Sequence, residues 1–283
     1  MKHLEFNWNT SGNVEIYGQA WECNAPKAVL CLVHGMGEHS GRYRHVAEYF
    51  NTLGYTVIAY DHRGHGKSGG KRGHCPTYEL LLEGVKELFQ QAGERYGNLP
   101  QFLYGHSMGG NVVLNFALRK KPRINGVISS GPWLKLAFEP PAIQVKLGKL
   151  VSGIFPSFTQ RTKLDANLVS RDKQEVKAYQ DDPLVHDYIS SSMFLGCYDA
   201  GIWALENADK MEIPLLIFHG TDDQLTSHKA SEEFAGKAKG DITLKLWDGL
   251  FHECHNEPEN AEVLTFIGDW MERRLANKPL PNV

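Results

Sequence analysis

The sequence predicts an α/β fold, a doubly wound and mostly parallel sheet carrying an inserted helical cap, on three observations. Short apolar runs of buried-strand type alternate with amphipathic helical stretches through most of the 283 residues. One such run, Phe102-Leu103-Tyr104, leads into Gly105-His106-Ser107-Met108-Gly109 and then into a helix-favouring stretch. A single segment, from Pro132 to about Ser192, breaks the alternation.

In chain order, Leu4 to Trp8 and Val14 to Trp21 alternate apolar and polar residues, which suggests an antiparallel pair at one sheet edge. Buried-type strands follow at Ala28 to Val33, Tyr55 to Tyr60, Phe102 to Tyr104, Val127 to Ser129, Leu215 to His219 and Ile242 to Trp247. Helices are expected over Tyr43 to Leu53, Tyr78 to Arg95, Met108 to Arg119, Ser227 to Lys239 and Ala261 to Leu275. Crossovers through helices of this kind make successive strands parallel.

The interrupting segment contains Pro132, Pro140, Pro141 and Pro156 and a helical stripe of Ile143, Leu147, Leu150, Val151 and Ile154. It reads as a cap, dividing the chain into a first core segment at 1–131, the cap at 132–192 and a second core segment at 193–283. Either the stripe packs on its own domain, or part of it joins Trp133, Leu136, Phe138, Phe155 and Phe158 at the mouth of an apolar pocket or against a lipid surface. Lys146 and Lys149 would then lie on the polar side.

Hydrophobic residues at 42% suffice for a globular interior, and a formal charge of −3 without a long basic run argues against nucleic-acid binding. Met1 to Trp8 lack the apolar core of a secretory signal, and nowhere do about eighteen apolar residues run together. A soluble, cytoplasmic protein is expected. The cysteines Cys23, Cys31, Cys75, Cys197 and Cys254 have no repeated spacing, so free thiols are expected.

Gly-x-Ser-x-Gly occurs by chance in many chains; here its position between a buried strand and a helix makes it a nucleophile elbow. The turn forces Ser107 into a strained backbone conformation, and side chains at positions 105 and 109 would collide with the neighbouring strand and helix. Ser107 Oγ therefore stands proud of the sheet. The N–H of Met108 opens the next helix, where unpaired donors and the positive helix end favour an oxyanion.

A serine so placed needs a base, and the base needs an orienting acid, in the chain order serine, acid, histidine. Asp222 and Asp223 follow the strand Leu215 to His219, and His252 follows the strand Ile242 to Trp247. Asp223 is the preferred acid, with Asp222 forming a turn or capping a helix. His252 is the preferred base, presented by a tight turn at Gly249, which leaves His255 as a pocket residue. The second oxyanion donor is expected from His34-Gly35-Met36-Gly37, at the N–H of Met36.

Two decoys are set aside. Cys254 is read as a bystander thiol, and the histidines of His252-Glu253-Cys254-His255 are too close for a zinc-binding helix. Gly64-His65-Gly66-Lys67-Ser68-Gly69 has the letters of a nucleotide loop. However, Gly70, Gly73 and Pro76 keep it irregular, and Asp61 stands where a phosphate loop needs glycine. It is read as a structured loop in which Asp61 and Arg63 hold backbone groups near the site.

On these motifs the chain resembles the monoacylglycerol lipases and related lysophospholipase-like members of the α/β-hydrolase superfamily, from about Ala28 to Trp270. The likeness rests on His34 to Tyr43, Asp61 to Ser68, Gly105 to Gly110, Asp182-Pro183-Leu184, Gly220 to Asp223 and His252 to Pro258. The resemblance implies an α/β-hydrolase fold and agrees with Asp223 as the acid and His252 as the base. It also implies a glycerol headgroup pocket of Glu38, Arg42, Tyr179 and His255, although Glu38 and Arg42 could instead pair with each other. Met36 stands where vertebrate members carry a small residue, and Trp133 to Gln160 departs from the family pattern.

The activity implied is hydrolysis of monoacylglycerol to fatty acid and glycerol through an acyl-enzyme on Ser107, with the N–H groups of Met36 and Met108 holding the oxyanion. No metal or organic cofactor is called for. The partner would be a small lipid ester, with peripheral membrane or micelle contact through the cap and no obligate protein partner. A lysophospholipase, a broad short-chain carboxylesterase and a non-catalytic binding protein on the same fold are the alternatives.

Overall fold

Strands β1 (Lys2–Asn9), β2 (Glu15–Glu22), β3 (Ala28–Val33), β4 (Tyr55–Tyr60), β5 (Gln101–His106) and β6 (Gly126–Ser130) precede a small hairpin-like pair, β7 (Thr159–Arg161) and β8 (Tyr188–Ser190), and are followed by β9 (Leu215–Gly220) and β10 (Ile242–Trp247). The structure, a computed structural model, describes residues 1–10, 12–138, 153–162 and 164–276. Eight of these strands form one sheet in the order β1-β2-β4-β3-β5-β6-β9-β10. β1 pairs antiparallel with β2, as the alternation at that edge predicts, and β2 also pairs antiparallel with β4. Every later pairing in this sheet is parallel.

Helices α1 (Arg44–Thr52), α2 (Tyr78–Tyr96), α3 (Met108–Lys120), α4 (Lys173–Asp181), α5 (Ser191–Glu206), α6 (His228–Lys237) and α7 (Asn260–Ala276) lie within the described residues. Two apolar layers sandwich the sheet, because strand residues alternate between its faces. Val29, Cys31 and Val33 of β3 pack with residues of α2, α3, α5 and α6, whereas Ala28, Leu30 and Leu32 pack with α1 and α7. The central strands are buried along their whole length. That is why they read as continuous apolar runs.

The differences from the sequence expectations have local causes. β5 extends beyond Tyr104 to His106, because Gly105 and His106 pair with Ser129 and Ser130 despite their poor strand propensity. A 3-10 turn over Ser40–Tyr43 precedes α1, so the helix begins at Arg44. No periodic stripe in the sequence predicts α5, whose buried residues Met193, Leu195, Cys197, Ala200, Gly201, Ala204 and Leu205 occupy more than a narrow face. Asn111 Nδ2 and Asn115 Nδ2 donate to the Cys197 and Ala200 carbonyls, tying α3 to α5.

Within the expected cap, β7 pairs with β8 and α4 is N-capped by Asp172, which accepts from Gln174 N–H. Ile143, Lys146, Leu147, Lys149, Leu150 and Val151 lie outside the described residues, while Ile154 is exposed. Among the described residues no helix is long and apolar enough to cross a membrane.

One of the tight backbone approaches in this architecture is at the start of α3. A Cβ on Gly109 would overlap the carbonyl oxygens of Val33 and His34 at the end of β3. Gly109→Ala is expected to cost at least about 2 kcal/mol through overpacking. A urea unfolding curve would reveal this as an earlier midpoint; an unchanged midpoint would show that the α3–β3 contact can relax.

Candidate active site

Ser107 sits between β5 and α3 with φ 54° and ψ −115°, a left-handed conformation that costs a non-glycine residue about 1–3 kcal/mol. Its surroundings hold it there. Ser107 N–H donates to the Ser130 carbonyl at 2.9 Å, and the Ser107 carbonyl accepts from Asn111 N–H and Trp133 N–H, each at 3.0 Å. A Cβ on Gly105 would overlap the Gly109 carbonyl, so both flanking glycines are required sterically, as the motif predicts. The side chain of Ser107 is half-buried and lines a cavity of about 800 Å³.

Asp223 and His252 lie on the loops after β9 and β10, at the carboxyl ends of those strands. His252 Nδ1 is 2.6 Å from Asp223 Oδ2, with both side chains buried. The same oxygen lies 2.9 Å from His219 Nε2 and accepts from Thr226 Oγ1 at 2.9 Å, while Asp223 Oδ1 accepts from the N–H groups of Leu225 and Thr226. Burial alone would push the Asp223 carboxyl up, but His252 and His219 hold it well below the usual carboxylate range. Burial alone would lower His252; the Asp223 carboxylate outweighs it and leaves the imidazole above the ordinary histidine value.

Asp222 is exposed, with its N–H donating to the Leu250 carbonyl, so it takes the turn position. It caps no helix, since Ser227 caps α6. Gly249 has φ 71°, the left-handed turn expected ahead of His252. His252 lines the same cavity as Ser107, and its ring lies 4.7 Å from that of His106.

The loop after β3 forms the facing wall. A Cβ on Gly35 would come within 3.3 Å of Ser107 Cβ, which places the Gly35-Met36-Gly37 backbone directly beside the serine. Gly37, at φ 79°, turns the loop and accepts from His186 N–H. His34 holds the loop from below, with Nδ1 2.7 Å from the Gly35 carbonyl and Nε2 accepting from His62 N–H at 2.9 Å. This arrangement requires the neutral Nδ1–H tautomer, in agreement with a pKa lowered by burial to about 3. Asp61 accepts from Ser40 N–H, Ser40 Oγ and Lys67 N–H, the backbone-holding role expected of it; Arg63 contributes its carbonyl, to His65 Nδ1.

Much of the cavity wall is apolar. Trp133, Leu136, Phe138, Phe158, Phe194 and Leu195 line it; of the residues expected at a pocket mouth, Trp133, Leu136, Phe138 and Phe158 are among them, whereas Phe155 lies out on the exposed surface. The remaining polar residues divide between the wall and the layer behind it. Glu38 and Tyr179 reach the cavity, but Arg42 and His255 do not. Arg42 pairs with Glu38, as the alternative to a headgroup role anticipates, and with Glu253, a lining residue that lies within the His252 to Pro258 block but to which that block gives no role. A buried glutamate facing an arginine already assigned elsewhere is the signal that would have found it.

His255 stacks on Tyr43 at 5.0 Å and meets His106 edge-on at 4.9 Å; burial lowers its pKa to about 3. Glu253 is equally desolvated by burial, yet Arg42 holds it well below the usual carboxylate range. Glu38 is instead pushed up, by burial and by Glu253, against the pull of Arg42. Cys254 is buried, and its thiol is raised well above its ordinary value by that burial, so it is kept from forming a reactive thiolate.

Residues 24–259 match the family described as serine aminopeptidase, S33 (Hydrolase_4). The chain is 38% identical over 255 residues to an uncharacterized abhydrolase domain-containing protein of Dictyostelium discoideum, spanning 89% of this chain but only 27% of that protein. It is 34% identical over 267 residues to the monoacylglycerol lipase of Mycolicibacterium smegmatis, covering 93% of this chain and 95% of that one. Among solved structures, the monoacylglycerol lipase of Paleococcus ferrophilus superposes with a TM-score of 0.85 at 34% identity, over 92% of this chain and 99% of that one.

The opposing influences on His252 give a direct test of the pair. In Asp223→Asn the main upward pull is lost while burial remains, opposed then by Glu253 and Glu38 only, so the imidazole is expected to titrate lower than in the wild type, as read by NMR. A His252 titration unchanged by the substitution would mean that Asp223 does not set its charge.

Proposed function

Because the chain belongs to the Hydrolase_4 family and has an α/β-hydrolase fold, we propose that it hydrolyses monoacylglycerol to fatty acid and glycerol through an acyl-enzyme on Ser107. The observation that carries this reading is the convergence of Ser107, His252 and the Gly35-Met36 loop on one largely apolar cavity, with His252 backed by a buried Asp223. A hydroxyl becomes nucleophilic only as a base removes its proton, and the base must offer its lone pair toward the hydroxyl. Donation of Nδ1–H to Asp223 leaves that lone pair on Nε2.

In this reading, Ser107 Oγ attacks the acyl carbonyl carbon as His252 Nε2 takes the hydroxyl proton. The tetrahedral oxyanion accepts hydrogen bonds from the N–H groups of Met36 and Met108, the latter at the positive end of α3. The ester C–O bond then breaks, and His252 returns the proton to the departing glycerol oxygen. Water attacks the acyl-enzyme, losing its proton to His252. The acyl C–Oγ bond then breaks as His252 returns that proton to Ser107 Oγ, which releases the fatty acid and restores the serine.

The acyl chain lies among Trp133, Leu136, Phe158 and Phe194, while Glu38 and Tyr179 meet the glycerol hydroxyls. Segment 132–192 serves as the cap. The exposed Phe138, Ile154, Phe155 and Phe158 support contact with a lipid or micelle surface. Co-sedimentation with phosphatidylcholine liposomes is expected for the wild type and is expected to weaken in Phe155→Ser; failure of the wild type to bind removes the surface contact from this account.

Ser107→Ala is expected to lower monoacylglycerol turnover by about 10³-fold or more. It is also expected to abolish labelling by a fluorophosphonate probe while leaving the urea midpoint within error of the wild type. Substantial turnover by the folded variant rules out Ser107 as the nucleophile, and faster hydrolysis of lysophosphatidylcholine than of monoacylglycerol by the wild type would favour a lysophospholipase.

A further inference from the structure

Arg42 is the cation that a sequence reading would offer to a substrate, but the structure commits it elsewhere. Its Nη1 donates to Glu38 Oε2 at 2.8 Å and to Glu253 Oε1 at 2.7 Å, and its Nη2 donates to Glu253 Oε2 at 2.7 Å. The Tyr179 ring lies over the guanidinium at 4.7 Å. Glu253 Oε2 also accepts from Asn256 Nδ2, and Glu38 Oε1 accepts from Gly35 N–H and from Tyr43 OH, so the cluster is fixed on several sides.

Two carboxylates therefore share one guanidinium, and it is the carboxylates that border the cavity. Among the described residues, the arginine that lines the cavity, Arg161, lies 3.4 Å from Asp187 and donates to Tyr188 OH. A phosphate group needs an available guanidinium, an ammonium or a cluster of N–H donors to offset its desolvation. At this end of the cavity it would meet carboxylates in a poorly screened interior. A neutral hydroxyl, in contrast, can donate to a carboxylate oxygen.

We propose that Glu253 determines headgroup specificity: by engaging both terminal nitrogens of Arg42 it withdraws that guanidinium from substrate, so esters of uncharged polyols are accepted and esters whose leaving group carries phosphate are rejected. The inference rests on the esterase reading above and names the chemical class of its alcohol product. Glu253 acts through charge and through Arg42, not on the reacting atoms.

The test compares 1-oleoylglycerol with 1-oleoylglycerol 3-phosphate, which share an acyl chain and differ in the charge of the leaving group. The wild type is expected to favour the neutral ester by about 100-fold or more in kcat/KM, the scale of a like-charge penalty in a buried site. Glu253→Gln restores one carboxylate per guanidinium. That change is expected to narrow the preference by about tenfold or more, mainly through a lower KM for the phosphate ester. A merely structural role would lower both substrates in proportion and leave the ratio intact, which overturns the proposal, as does equal use of the two esters by the wild type.

An arm independent of any variant uses p-nitrophenyl butyrate as the reporter substrate. Glycerol is expected to inhibit its hydrolysis by the wild type at concentrations where glycerol 3-phosphate does not; equal inhibition by both, or by neither, defeats the proposal. Failure of the underlying esterase reading looks different. In that case the wild type turns over neither oleoyl ester nor p-nitrophenyl butyrate.

Discussion

Two stretches of backbone pass almost in contact where α3 begins, and the site is organised by that approach. Gly109 faces the terminal carbonyls of β3 with no room for a side chain, and Gly105 faces Gly109 in the same way. The helix N-terminus is thereby drawn down onto the end of the sheet, next to the loop that leaves β3. Gly35 then lies against Ser107, and the strained serine is held by hydrogen bonds from both of its peptide groups. A looser crossing would let the serine relax into an ordinary helix start and would separate it from the loop.

The loops that meet at this edge carry an unusual density of buried charge, and each charge is matched. Asp223 has donors on both oxygens, Arg42 has carboxylates on both terminal nitrogens, and Glu257 accepts from Phe251 N–H and from Arg171 Nε. Removing one member of such a set leaves an uncompensated buried charge, so these contacts define the loop conformations more than they add to net stability. The segments above the site are attached through the same polar network. His39 Nε2 lies 2.8 Å from Asp182 Oδ2, and the Glu253 and Ser190 N–H groups donate to the carbonyls of Val169 and Gly73. The roof and the floor of the cavity are therefore coupled directly, through the loops that hold Glu38 and His252.

Legibility in the sequence followed burial symmetry. β3, β4 and β9 are buried on both faces and appear as uninterrupted apolar runs, and the edge strand β1 shows the alternation of a half-exposed ribbon; β2 alternates in sequence yet is buried from Ile16 to Trp21, between β1 and β4. α5 was not legible, because it packs around more than one face and its sequence has no polar stripe to mark a period. The last two residues of β5 escaped for a related reason: their strand state comes from pairing with β6, against their own propensity. In the candidate site, the resemblance named Glu38, Arg42, Tyr179 and His255 together, but only Glu38 and Tyr179 border the cavity. The competition of Glu253 for Arg42 joins residues 211 positions apart, beyond the reach of any local motif.

The sequence by itself determined which strands are parallel, where the Gly-x-Ser-x-Gly turn falls and which loops bring a carboxylate and an imidazole to the same sheet edge. These depend on periodicity, on steric limits at glycine and on chain order, all of which are local or topological properties. Only the tertiary structure decided that Arg42 is spent on both Glu38 and Glu253 instead of facing the cavity, and that Glu253 joins the cavity wall. The physical reason is that a buried charge takes whichever partner completes its hydrogen bonds in three dimensions, and that partner can lie anywhere along the chain.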